Sequence, residues 1–184
     1  KPHIFDLGRD TLREAFQDEG LPPFRADQVL DWVYHKMATN PQKMTNLPEA
    51  DRRQLAQILR FTSGQVIGHQ AATDGVQKLL VQWDEPIGTD GPDPRLQTEC
   101  VLIPAEGGGK GRPRRTACIS SQIGCAVGCG FCASGLGGLD GDLTAGQIVE
   151  QVWLLGQLTE VERIPNVVFM GMGEPLANFE NVVR

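Results

Sequence analysis

Three cysteines, Cys125, Cys129 and Cys132, lie in one short stretch, GCAVGCGFCASG, with the spacing C-x3-C-x2-C. Ordinary core thiols need neither that spacing nor the glycines around it. Two metal chemistries fit better. Structural zinc takes four ligands, commonly as two separated C-x2-C pairs, so Cys118 or His69 would have to supply the fourth. An iron–sulfur cluster asks for a thiolate on each iron, and three cysteines leave one iron open. An open position is what a metal needs to bind a substrate rather than only carry electrons. A second stretch, MGMGEP at 170–175, follows the apolar run NVVF. A glycine-rich turn exposes backbone carbonyls and Glu174 offers a carboxylate, so this segment suits a cationic group.

The remaining cysteines, Cys100 and Cys118, bring the total to five. An odd number with a tight triplet does not resemble a secreted disulfide framework, so a reducing, cytoplasmic compartment is expected. Cys100 reads as a buried thiol. His3, His35 and His69 have no ligand spacing and read as structural. The net charge of −6 does not mark a nucleic-acid binder, and positive and negative side chains balance over residues 1–60. No apolar stretch reaches the ~18 residues that suggest a membrane span, and no signal peptide opens the chain. The first residue is not Met, and the closing NFENVVR reads as a helix just begun. The chain is therefore expected to be a fragment of a longer protein.

The elements that must position these residues fall into three groups. The first sixty residues read as helical. FRADQVLDWVYHKM places Ala26, Val29, Val33 and Met37 on one face, and LPEADRRQLAQILR starts near Pro48 and packs Leu55, Ile58 and Leu59. Beyond Thr62 come strand patterns: SGQVIGHQAAT, GVQKLLVQW with Leu79, Val81 and Trp83 alternating, LQTECVLIP and RTACISSQ. DEPIGTDGPDP and AEGGGKGRPR read as loops. From Cys118 the order becomes strand, loop, helix, strand, loop, helix. TAGQIVEQVWLLGQL carries a capping box in Thr144 and Gln147, with Ile148, Val152, Leu155 and Leu158 on one face. NVVFMG reads as a strand buried on both faces, parallel to the one before it.

Cys125-Ala-Val-Gly-Cys129-Gly-Phe131-Cys132, with an aromatic directly before the last cysteine, resembles the signature of the radical S-adenosylmethionine (SAM) superfamily. The resemblance implies a 4Fe-4S cluster on the three cysteines and SAM on the open iron. It also implies Phe131 beside the adenine, and Gly173 and Glu174 receiving the methionyl ammonium. TACISSQIGCAVGCGFCASG, LTAGQIVEQVW and NVVFMGMGEPLANFENV, together with FRADQVLDWVYHK, DGVQKLLV and TECVLIP, are similar to the RlmN/Cfr-type RNA adenine methyltransferases along nearly the whole chain. That family implies methylation of an sp2 adenine carbon through a methylcysteine, with C2 favoured over C8. Cys118 matches the resolving cysteine and Glu99 a general base. The methyl-carrying cysteine has no counterpart after Cys132, so this chain alone is expected to be inactive.

The fold expected from the resemblance is α/β: a small N-terminal helical RNA-binding domain at 1–62, a β-meander at 63–115, and a partial radical SAM (β/α) barrel at 116–184. Expected partners are 23S rRNA, with tRNA as a further substrate, and an electron donor such as flavodoxin. No membrane association is expected, and a monomer is. Lys110, Arg112, Arg114 and Arg115 read as a solvated loop or as an RNA phosphate contact, and Arg9, Arg25, Lys36, Lys43, Arg52 and Arg53 in the helical part are further candidates for phosphate contact. The competing readings are a C8-methylating Cfr-type enzyme and a non-catalytic iron–sulfur or zinc module with Cys118 as fourth ligand.

Overall fold

The computed structural model describes residues 1–84, 93, 95–105, 114–158 and 164–184. The chain divides into two compact units, Lys1–Ser63 and Gly64–Arg184.

The first unit holds three helices: α1 (Arg9–Asp18), α2 (Arg25–Tyr34) and α3 (Glu49–Ile58). Each is too short to be stable alone, so burial of an apolar stripe must hold them. Leu12 and Phe16 of α1, Ala26, Val29 and Val33 of α2 and Leu55 of α3 are all buried, with Ile4, Met44 and Leu47 from the connections. Arg9 and Arg13 both pair with Asp27, and Arg25 pairs with Asp51. The ends of the unit meet where Ile4 donates to the Arg60 carbonyl at 2.8 Å and Arg60 to that of Pro2 at 2.9 Å. Met37 does not share the α2 face. The helix stops at Tyr34, and Met37 lies beyond it in the left-handed region, φ 51°.

The second unit is a mixed sheet. Its strands are β1 (Gly64–Ala71), β2 (Gln77–Trp83), β3 (Gln97–Ala105), β4 (Arg114–Cys118) and, after a hairpin and a helix, β7 (Asn166–Val168). The order is β1-β2-β3-β4-β7, antiparallel except for the parallel β4–β7 pair. The α/β class is as the sequence led us to expect, and the meander strands join the same sheet as β4 and β7. On one sheet face Leu79, Val81, Trp83, Cys100, Leu102 and Ala117 are buried with Ile148 and Leu155 of α4 (Ala145–Gly156). Thr144 and Gln147 close the capping box, Gln147 N–H donating to Thr144 Oγ1 at 3.1 Å and Thr144 N–H to Gln147 Oε1 at 2.9 Å.

Two further expectations need correction. β7 is not buried on both faces. It ends the strand order, with β4 as its only strand neighbour among the described residues, and Val167 is exposed. The segment after Cys118 is not a plain loop either. It forms a second, two-stranded sheet of β5 (Gln122–Gly124) and β6 (Leu139–Asp142). DEPIGTDGPDP lies mostly outside the described residues, as do Lys110 and Arg112 of the basic run.

Candidate active site

The β5–β6 hairpin carries the three cysteines in its connection. Gly124 leaves the strand at φ 75°, and a Cβ there would run into the Gly138 carbonyl, so only glycine fits. Cys125 N–H then donates to Gly138 O at 2.8 Å, which closes the loop at its base. Further out, Cys132 N–H donates to Cys129 O at 3.0 Å, and a 3-10 turn follows at Ala133–Gly135.

The thiols sit in different surroundings. Cys125 and Cys132 are half-buried and Cys129 is exposed. The Ser134 N–H and hydroxyl, with help from Gly135 N–H, hold the Cys132 thiol below its ordinary pKa. A thiolate is the form that ligates metal, so the donor chemistry suits an iron–sulfur cluster. Among the described residues, however, no three His, Cys, Asp or Glu side chains are gathered into a metal-holding group. The three cysteines share one loop without converging. Phe131 is 94% exposed beside them.

The MGMGEP segment lies against the chain entering that loop. Gly171 N–H donates to Ile119 O at 3.1 Å, Ser121 N–H to Met172 O at 2.9 Å, and Met172 N–H to Ser120 Oγ at 2.9 Å. Gly173 has φ 95°, and a Cβ on it would stand 2.6 Å from Gln122 Cβ and 2.7 Å from Gln122 N. Glu174 donates its N–H to Gln122 Oε1 at 2.8 Å, and its carboxylate accepts from Leu176 N–H at 3.0 Å. Gly173 and Glu174 thus meet the root of the cysteine loop, beyond the ends of the parallel strands β4 and β7.

Glu99 and Cys118 share the sheet face turned away from α4. Val101 is paired with Cys118 and so points to the same side, and Glu99 is two residues from Val101. Glu99 pairs with Lys78 at 2.8 Å. Its carbonyl accepts from Ser120 Oγ at 2.7 Å, which fixes Glu99 at the same rim as the loop. Burial pushes the Cys118 thiol up, opposed by a hydrogen bond from Met170 N–H. Cys100 faces the core and is pushed to about 12, first by burial and then by Cys118 and Glu99. It is the buried thiol that the sequence suggested. His3, His35 and His69 contact Phe5 N–H, Asp31 and Gln77 respectively.

Sequence reasoning overlooked the amides that hold this rim. Gln151 of α4 accepts from Ser120 N–H and donates to Ser120 O, both at 2.9 Å. Asn178 donates to the carbonyls of Ser121 and Leu143 at 2.7 and 2.8 Å. Gln122 bridges Asp142 and Glu174. Only the position of Gln151 on the apolar side of a helix could have drawn notice.

Comparison with known proteins adds a lineage to this geometry. Residues 3–61 match the family described as "Ribosomal RNA large subunit methyltransferase N-terminal domain". A Rhodopirellula baltica protein named "Probable dual-specificity RNA methyltransferase RlmN" is 40% identical over 184 residues, which is 100% of this chain and 46% of its own length. A Dictyoglomus thermophilum protein of the same name is 40% identical over 99% of this chain and 48% of its own. The crystal structure of a radical SAM methyltransferase from Sphaerobacter thermophilus superposes with a TM-score of 0.84 at 35% identity, covering 100% of this chain and 50% of that one. The chain thus spans about half the length of the relatives it matches.

Proposed function

Because this chain is related along its full length to the RlmN-type radical SAM RNA methyltransferases, we propose that it supplies the cluster- and SAM-binding part of an enzyme that methylates an adenine carbon in RNA. The substrate is 23S rRNA, with tRNA as a second, and C2 is the carbon we favour. The observation that carries this reading is the meeting of the MGMGEP turn with the root of the three-cysteine loop through Ser120, Ser121 and Gln122. One small molecule bound at that rim can touch both.

Cys125, Cys129 and Cys132 would hold a 4Fe-4S cluster. When bound, the cluster and SAM supply a reactive carbon radical, with electrons from a donor such as flavodoxin. The chain's own residues do the rest. Gly173 and Glu174 receive the methionyl ammonium, and Phe131 covers the adenine. Cys118 is the resolving thiol. Burial raises its pKa, and Glu99, the general base of this reading, stands on the same sheet face. The methyl-carrying cysteine is not among the residues after Cys132. We place the protein in the reducing cytoplasm, as a monomer.

The test is to reconstitute the complete protein anaerobically, measure iron and sulfide, and record EPR of the reduced cluster with and without SAM. Mass spectrometry of 23S rRNA incubated with the enzyme then reports the methylated carbon. About four irons, a SAM-dependent spectrum and a C2-methyladenine are expected. Zinc in place of iron, or a spectrum indifferent to SAM, would establish the non-catalytic alternative.

A further inference from the structure

Gln122 lies in β5 and is 2% exposed. Its Nε2 donates to Asp142 Oδ1 at 2.7 Å, and its Oε1 accepts from Glu174 N–H at 2.8 Å. A carboxylate only accepts and a backbone N–H only donates, so the two partners fix which way the amide points. The backbone of the same residue also meets the turn, its N–H directed at Met172 O at 3.3 Å. At Gly173 any Cβ would collide with Gln122 Cβ and N.

One end of Gln122 therefore grips the hairpin from which the three cysteines hang. The other grips the turn that bears Gly173 and Glu174. We propose that Gln122 is a positioning residue that sets the distance and orientation between the cysteine loop and the MGMGEP turn, and thereby the affinity for SAM. The proposal rests on the SAM-binding reading above. A ligand held by two separate elements loses affinity when either is displaced, even if each stays folded.

The amide's two ends make the proposal testable by reversing its polarity. Gln122→Glu keeps the length and an acceptor for Glu174 N–H, but sets a carboxylate against Asp142. Asp142→Asn alone is expected to be mild, because the new amide can turn its oxygen to Gln122 Nε2. In the double variant Gln122→Glu/Asp142→Asn, the introduced amide donates to the introduced carboxylate, and complementarity returns in the opposite sense.

The complete protein, reconstituted with iron and sulfide, is titrated with SAM, and iron content and the reduced-cluster EPR spectrum are followed. All variants are expected to keep their iron. Gln122→Glu should weaken SAM binding about ten- to a hundredfold, the scale of a lost buried hydrogen bond with a like-charge contact. Asp142→Asn and the double variant should stay within about threefold of the parent. If Gln122→Glu does not fold, Gln122→Met removes both bonds without adding charge and should weaken SAM with iron retained.

Unchanged SAM affinity in Gln122→Glu or Gln122→Met overturns the proposal. So does a loss that the double variant fails to restore, or one that merely follows loss of iron. A parent protein that holds iron but ignores SAM would overturn the underlying functional reading instead, so the two failures are distinct.

Discussion

Gly173 is the residue on which the rim has least room to compromise. Its φ of 95° and the 2.6 Å that would separate a Cβ from Gln122 Cβ both exclude a side chain. Gly173→Ala should cost about 1–3 kcal/mol in denaturant melts and abolish SAM binding at concentrations that saturate the parent. The thiols allow a second check. In iron-free protein at pH 8, alkylation followed by mass spectrometry should label Cys132 before Cys118, with Cys100 last, because the thiolate is the nucleophile. The sign for stability follows from Cys100. Unfolded it ionises near 9.0, folded only at about 12, so its contribution is complete below pH 9 and is lost as pH rises toward 12. Cys100→Val should flatten that part of the stability profile. The cysteines and Glu174 could be singled out in the sequence as candidates because their type and spacing suggest a chemistry. Gln122, Gln151 and Asn178 could not, since they bond groups 20 to 57 residues away and an amide's partner leaves no local pattern.

At the scale of elements, α4 does more than cover the sheet. It delivers Gln151, fully buried, to both backbone groups of Ser120, the residue that also bonds Met172 and Glu99. Gln151→Leu should preserve helix content by circular dichroism yet cost about 2–4 kcal/mol, because it strands a buried donor and a buried acceptor together. Thr144→Ala should cost about 1 kcal/mol through the lost cap alone. A larger loss for Thr144→Ala than for Gln151→Leu would show that the helix holds the rim by packing and not through this amide. The helix itself was readable from its capping box and apolar spacing. The β5–β6 hairpin was not. Its strands are three and four residues long, and LDGD shows no apolar alternation to mark it. β7 misled for the opposite reason: NVV is as apolar as an inner strand, and its place at the end of the order is a tertiary fact.

The whole chain is two units, and the first should stand alone. Lys1–Ser63 has its own buried core, and its termini are tied by the hydrogen bonds between Ile4, Arg60 and Pro2. Expressed separately, it should melt cooperatively, whereas a broad, featureless transition would show that its core is insufficient. In the second unit the strand order has a consequence for time. β2, β3 and β4 each pair with the preceding strand, but β4 must wait for β7, which arrives only after the hairpin and α4 have been laid down. Closing that long loop is entropically the slowest pairing, so the meander should form first and the β4–β7 joint last. The amides that cross the joint, Ile119, Ser121 and Glu174, should then exchange with deuterated solvent about tenfold or more faster than those of Leu79 and Val81. The place where the glycine turn meets the cysteine loop would be the last part of the unit to close and the first to breathe.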